Sequence, residues 1–98
     1  MAGPVKLEWS AAALADLDRF ATFLHDRHPY LARIVASEIL AKAQIISEHP
    51  ELGRPIAERK NYREVLLRVL NATYAVRYGY DGKRLVVLRV FHGREARE

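Results

Sequence analysis

The amino-acid sequence predicts an α+β domain in which a helical hairpin packs on one face of an antiparallel sheet. Two segments between residues 10 and 49 repeat apolar side chains every three to four positions, which is the period of a helix. Three later segments, within residues 62–91, alternate apolar and polar side chains, which is the period of a half-buried strand. With an opening strand the order is β-α-α-β-β-β, and 98 residues fit one domain, residues 1–98.

The first half of the chain carries the signals for one strand and two helices. Residues 5–9 alternate as a strand, and the Ser10 hydroxyl is suited to cap the helix that follows over residues 10–28. Pro29 ends that helix and starts the next, over residues 29–49. The apolar stripes of the two helices are Leu14, Leu17, Phe20 or Ala21, and Leu24, then Leu31, Val35, Ile39, Ala43 and Ile46.

The second half predicts a three-stranded meander over residues 62–70, 73–80 and 84–91. Two-residue turns at Asn71-Ala72 and at Asp81-Gly82 would pair Leu67 with Val76 and Tyr78 with Leu85. The face under the helices would then hold Val65, Leu67, Val69, Tyr74, Val76, Tyr78, Leu85 and Val87. The residues expected to be buried are Leu17, Phe20, Leu24, Val35, Ile39, Leu67, Val76, Tyr78 and Val87.

The opposite face of the predicted meander mixes arginines with aliphatic side chains. An exposed apolar row bordered by charge is typical of an interface, so we expect a partner there, although a tail or loop folded over it is the alternative. The residues of this face are Glu64, Leu66, Arg68, Leu70, Ala75, Arg77, Arg84, Val86, Leu88 and Val90.

Composition narrows the class of protein. The net charge of +4 and the pI near 9.7 favour an acidic partner. The chain has no cysteine, no apolar stretch of about 20 residues and no signal-peptide core near its start, so we expect a cytoplasmic protein with no membrane partner. Metal and nucleotide motifs are missing, and the four histidines are scattered, so we expect no cofactor.

Several segments, in this order, resemble the ParE/RelE toxin superfamily, and the Pro-x-x-Gly-Arg loop and the His-Gly-Arg ending look closer to its ParE branch. The segments are LEWSAAALADL from Leu7, HPELGR from His49, YREV from Tyr62, YAVRY from Tyr74 and VVLRVFHGR from Val86. The resemblance implies two helices on an antiparallel sheet, and a toxin held by a small acidic antitoxin. It also implies either inhibition of DNA gyrase, as in the ParE branch, or mRNA cleavage on the ribosome, as in the RelE branch.

Gyrase inhibition and mRNA cleavage differ in the catalytic residues that they require. Metal-free RNA cleavage needs a base, an acid and cations, for which the candidates are His92, Arg63, Arg77 and Arg94, with Glu58 or Glu64 as the base. The dense lysine clusters of RelE-type nucleases are missing here, because Lys60 and Lys83 stand alone, so we favour a toxin that binds its target over an enzyme. A degenerate binding module is a third reading.

Binding roles follow from the same surfaces. The residues expected to contact the target are Arg54, Arg59, Lys60 and Arg94. The residues expected to contact the antitoxin are Leu66, Arg68, Leu70, Arg77, Arg84, Val86, Leu88 and Val90. We also consider a homodimer, or a heterotetramer with the antitoxin.

Overall fold

A computed structural model describes residues 3–95 and has two helices packed on a five-stranded sheet, which confirms the predicted fold class. The elements are β1 (Leu7–Trp9), α1 (Ala11–Leu24), α2 (Pro29–Glu48), β2 (Arg54–Pro55), β3 (Tyr62–Val69), β4 (Ala72–Tyr80) and β5 (Leu85–His92). The strand order is β1-β5-β4-β3-β2. β1 runs parallel to β5, and the other neighbours are antiparallel.

The helical hairpin starts where its capping residue predicts, but α1 stops four residues short of the predicted end at residue 28. The Ser10 hydroxyl accepts a hydrogen bond from the Ala13 N–H at 3.0 Å, which caps α1. α1 ends at Leu24, and Pro29 is the first residue of α2. No helix within residues 3–95 is long and apolar enough to cross a membrane.

The core lies between the hairpin and one face of the sheet, and eight of the nine residues expected to be buried are buried. Leu24 is the exception: it is half-buried, because it is the last residue of α1 and lines a groove at the end of the sheet. Leu14, placed on the α1 stripe, is 47% exposed, since the buried positions of α1 are Ala13, Asp16, Leu17 and Phe20.

The β3–β4 turn differs from the predicted one by two residues in register. Leu67 pairs with Tyr74, and Leu70 and Asn71 form the turn with φ of 50° and 65°. Asn71 tolerates this left-handed backbone better than Ala72 would, which favours the observed turn. A shift of two residues keeps the paired side chains of β3 and β4 on their predicted faces, because side chains alternate with a period of two.

The β4–β5 connection is longer than predicted. Tyr80 pairs with Leu85, and the Asp81 carboxylate accepts hydrogen bonds from the N–H groups of Lys83 and Arg84 at 2.9 and 2.8 Å. This side-chain cap stabilises a four-residue loop in place of a two-residue turn.

A β-bulge at Leu88 reverses the faces of the end of β5. Tyr78 pairs with Val87, but Arg77 pairs with Arg89, so one extra residue is inserted in β5. The prediction that Val90 lies on the open face is therefore wrong. Val90 is fully buried in the core, and Phe91 takes the outward position.

A buried carboxylate joins α1 to β5 just beyond this bulge. Asp16, 3% exposed, accepts hydrogen bonds from the Val90 N–H at 2.8 Å and from two nitrogens of Arg89 at 2.8 and 2.9 Å. Arg19 adds a contact at 3.1 Å. Burial raises the pKa of Asp16, but these donors outweigh it, so its pKa lies below the ordinary value. Asp16 is therefore ionised at neutral pH.

We predict that Asp16→Asn lowers the free energy of unfolding at pH 7 by about 1.5–3 kcal/mol, the contribution of hydrogen bonds to a charged group. Because the folded pKa is depressed, this stabilisation is present above the unfolded pKa of about 4 and is lost as the pH falls through the folded pKa. Urea unfolding at pH 7 and pH 3 measures it. The gap between wild type and variant should shrink at pH 3, and exposed Asp18→Asn is the control. An equally large gap at both pH values would contradict this role for the charge.

Candidate functional site

An apolar groove of about 1040 Å³ lies where the end of α1 and the start of α2 meet the β3–β4 turn and the end of β5. Two of its side chains stand well out of the core: Phe23 is 70% exposed and Leu66 is 58% exposed. The apolar side chains that line it are Phe20, Phe23, Leu24, Leu31, Leu66 and Leu70. An exposed cluster of this kind is typical of a site that another molecule covers.

Cations surround the apolar groove. Arg19, Arg27 and Arg94 line it together with one acid, Glu95. The Arg19 guanidinium forms an ion pair with the Glu95 carboxylate, and the Arg27 guanidinium lies 5.8 Å from the centre of the Phe23 ring. The groove is therefore apolar inside and positively charged around it, which suits an acidic segment with apolar side chains.

The outer sheet face, on the side away from the helices, is less open than the sequence predicted. Leu70 has left it, because the left-handed turn packs Leu70 against the core beside the groove. Of the other expected antitoxin-binding residues, Arg68 is exposed, Val86 and Leu88 are half-buried, and Val90 is buried. Arg84 and Arg77 form ion pairs with Glu8 and Glu64, each at 2.8 Å.

Phe91 is a feature of this outer face that the sequence reading missed. The guanidinium groups of Arg77 and Arg89 lie 5.4 and 4.9 Å from the centre of its ring, within cation–π range. Strict alternation along β5 from Val87 would turn Phe91 inward, and the bulge at Leu88 brings it out. No local sequence signal marks that bulge.

Only two of the four nuclease candidates lie together: His92 and Arg94 both line the apolar groove, whereas Arg63 and Arg77 do not. The His92 ring packs edge-on against Tyr74 at 5.3 Å, and its Nδ1 accepts a hydrogen bond from the Arg94 N–H at 3.2 Å. Arg77 lies on the outer face of the sheet, whereas Tyr74, which His92 contacts, is buried on the other face. Arg63 lies four residues along β3 from the partner of Tyr74, about 13 Å away at 3.3 Å per residue.

Arg63 holds the loop after α2 instead. Its guanidinium donates hydrogen bonds to the carbonyls of Glu51 and Gly53 at 3.1 and 2.7 Å. The hydroxyl of buried Tyr78 accepts from the Gly53 N–H at 2.7 Å and donates to the Pro50 carbonyl at 2.8 Å. Burial raises the pKa of Tyr78, so the hydroxyl stays neutral and keeps its donor. The Pro-x-x-Gly segment is thus fixed to the sheet by structural contacts.

Glycine is required at position 53 by this arrangement. A Cβ there would stand 2.8 Å from the Tyr78 hydroxyl oxygen and 3.0 Å from the Glu64 carbonyl oxygen. The two candidate bases are also apart from His92, since Glu64 pairs with Arg77 and Glu58 lies in the loop before β3 with a φ of 63°.

The basic loop, residues 56–61 between β2 and β3, forms a second surface at the other end of the sheet. Arg59 and Lys60 are exposed and line a cleft of about 660 Å³ beside Tyr62 and Tyr80, and Arg54 is exposed on neighbouring β2. Acidic side chains also line the cleft, including Glu58 of this loop and Asp81 of the β4–β5 connection.

Arg94 does not join that surface. It follows Gly93, whose N–H bonds to the Thr73 carbonyl near the start of β4, whereas the basic loop meets β4 at Tyr80 through the Asn61 carbonyl. Those two points are seven residues apart on β4, about 23 Å. Arg94 therefore does not share a surface with Arg59 and Lys60, and its expected role in target binding stays a prediction. Within residues 3–95 no group of three or more His, Cys, Asp or Glu side chains is placed to hold a metal ion.

Known proteins resemble this chain in sequence and in fold. The family model described as "ParE toxin of type II toxin-antitoxin system, parDE" matches residues 7–97. Toxin RelE1 of Caulobacter vibrioides is 28% identical over 88 residues, which cover 90% of this chain and 92% of that protein.

Two solved structures have the same fold at low identity. The chromosomal ParDE TA system from P. aeruginosa matches with a TM-score of 0.73 and 22% identity, over 90% of this chain and 95% of that one. The toxin-antitoxin complex RelBE2 from Mycobacterium tuberculosis matches with a TM-score of 0.59 and 21% identity, over 97% and 98%. Since the family model spans nearly the whole sequence, this chain belongs to the ParE toxin family of type II toxin–antitoxin systems, within the ParE/RelE superfamily.

Proposed function

We propose that this toxin acts by binding its target, DNA gyrase, rather than by cutting RNA. The observation that carries the proposal is the separation of His92, Arg63 and Arg77, each of which is engaged in a structural contact of its own. Acid–base cleavage needs its acid, base and cations within hydrogen-bond reach of one phosphate. Side chains on opposite faces of a sheet, or about 13 Å apart along it, do not meet that requirement.

The basic loop is the surface we assign to the target. Arg54, Arg59 and Lys60 are exposed at one end of the sheet, with the rings of Tyr62 and Tyr80 beside the two loop cations. Arginine and tyrosine are enriched where proteins bind one another. This surface lies far from the apolar groove, so target binding and antitoxin binding are assigned to different ends of the molecule.

We assign the apolar groove to a cognate antitoxin, as a small acidic segment that becomes ordered on binding. Its apolar side chains would cover Phe23, Leu31 and Leu66, and its carboxylates would face Arg19, Arg27 and Arg94. This choice replaces the outer sheet face as the main contact, because Leu66 and Leu70 line the groove and Val90 is buried. A cytoplasmic location follows from the proposed target.

We predict that His92→Asn leaves toxicity nearly unchanged. Asparagine keeps an oxygen that can accept the Arg94 N–H but cannot act as an acid or base near neutral pH. Growth arrest after induction without antitoxin measures the effect, read together with DNA breaks and total mRNA. Loss of toxicity by about 100-fold or more, with normal folding and with mRNA loss in the wild type, would establish a ribonuclease and overturn the proposal.

We predict that Phe23→Glu weakens antitoxin binding by about tenfold to hundredfold, because it removes apolar burial and places a charge in a dry contact. Phe23 is 70% exposed, so folding should be retained. Leu14→Glu, also on α1 but outside the groove, is the matched control. Titration with the cognate antitoxin provides the affinities. A larger loss for Leu88→Glu than for Phe23→Glu would assign the antitoxin to the outer sheet face instead.

A further inference from the structure

We propose that Arg19 is a carboxylate-binding site in the wall of the apolar groove, filled by Glu95 in the isolated chain, and that an acidic residue of the partner takes the place of Glu95. The inference rests on the proposed function of the groove, and it adds a specific residue and a mechanism of exchange. It concerns one ion pair, and it can fail while the groove remains the binding site.

The Arg19 guanidinium is held in position independently of Glu95. Its Nη2 donates to the Asp16 carboxylate at 3.1 Å and lies 3.5 Å from the Val90 carbonyl oxygen. The guanidinium carbon lies 4.8 Å from the centre of the Phe20 ring, a cation–π contact. These contacts leave Nη1 as the nitrogen that binds Glu95, so the site is already oriented before any partner arrives.

Glu95 imitates a ligand from outside the helix. It lies 76 residues from Arg19 in the sequence, in the turn that follows β5, and its side chain is 32% exposed. Its second carboxylate oxygen accepts the His92 N–H at 2.6 Å, and its own N–H bonds to the His92 carbonyl at 2.9 Å. The turn is therefore closed by its own hydrogen bonds, and Arg19 is an additional contact that the turn can give up.

Exchange follows from the geometry of the groove. Arg19 and Glu95 both line it, so an acidic segment that enters meets a cation already paired and a like charge beside it. Replacing one carboxylate by another on Arg19 costs little and moves the Glu95 charge away from the partner. A neutral segment has no means of displacing Glu95, so this pair would favour acidic partners over neutral ones.

The test is Glu95→Gln, titrated with the cognate antitoxin. Glutamine keeps the oxygen that accepts the His92 N–H but loses the charge that competes for Arg19. Because Arg19 is 43% exposed, the gain should be modest, about two- to fivefold tighter binding. The gain should disappear in the Arg19→Gln background and should shrink as salt screens the charges. Asp18→Asn removes the same charge from an exposed position on α1 and should give a smaller gain.

Two results would overturn the exchange. One is Glu95→Gln binding no more tightly than wild type, and the other is an equal gain in the Arg19→Gln background or from Asp18→Asn. If Phe23→Glu still weakens binding in that case, the groove assignment stands and only the exchange fails. If neither Phe23→Glu nor Glu95→Gln changes the affinity, the groove assignment itself has failed.

Discussion

Where β1 ends, the backbone N–H and C=O groups on the outer edge of β5 need hydrogen-bond partners other than a strand. The side chains of Ser10 and α1 supply them. β1 pairs with β5 only from Leu85 to Val87. From Leu88 onward the polar groups of β5 meet α1: the Ser10 hydroxyl donates to the Leu88 carbonyl at 3.0 Å, and the Asp16 carboxylate accepts the Val90 N–H at 2.8 Å. An unpaired strand edge is costly when buried, so this junction fixes α1 against the sheet.

Both sides of the sheet depend on that junction. Arg19 binds Asp16 from within α1 and reaches the apolar groove, where it contacts Glu95. Arg89 binds Asp16 from β5 and reaches the outer face, where it flanks Phe91. One buried carboxylate therefore orients a cation on each side, and the position of the groove follows from where α1 is held. The loop after α2 is fixed separately, by Tyr78 and Arg63 on the strands beside it.

Much of the fold could be predicted because its signals are local. Helical spacing, the Ser10 cap and Pro29 define the hairpin, and period-two alternation defines the strands. In both hairpins the strand pairing differs from the prediction by two residues, which keeps the paired side chains on their predicted faces. The bulge at Leu88 has no such signal, so Val90 was placed on the wrong face and the outer position of Phe91 was missed. Asp16 did carry a signal, a charged residue between Ala13 and Phe20 on the buried stripe of α1. The groove is formed by residues from separate elements, so it could be located only once the packing of those elements was known.

Hydrogen–deuterium exchange of the toxin, alone and with its cognate antitoxin, tests the central claim most directly, because it locates the covered surface without any substitution. We expect slower amide exchange in residues 20–31, in the β3–β4 turn and in residues 92–95, with the basic loop at residues 56–61 unchanged. Protection confined to the basic loop or to the middle of β4 and β5, with none around the groove, would contradict it.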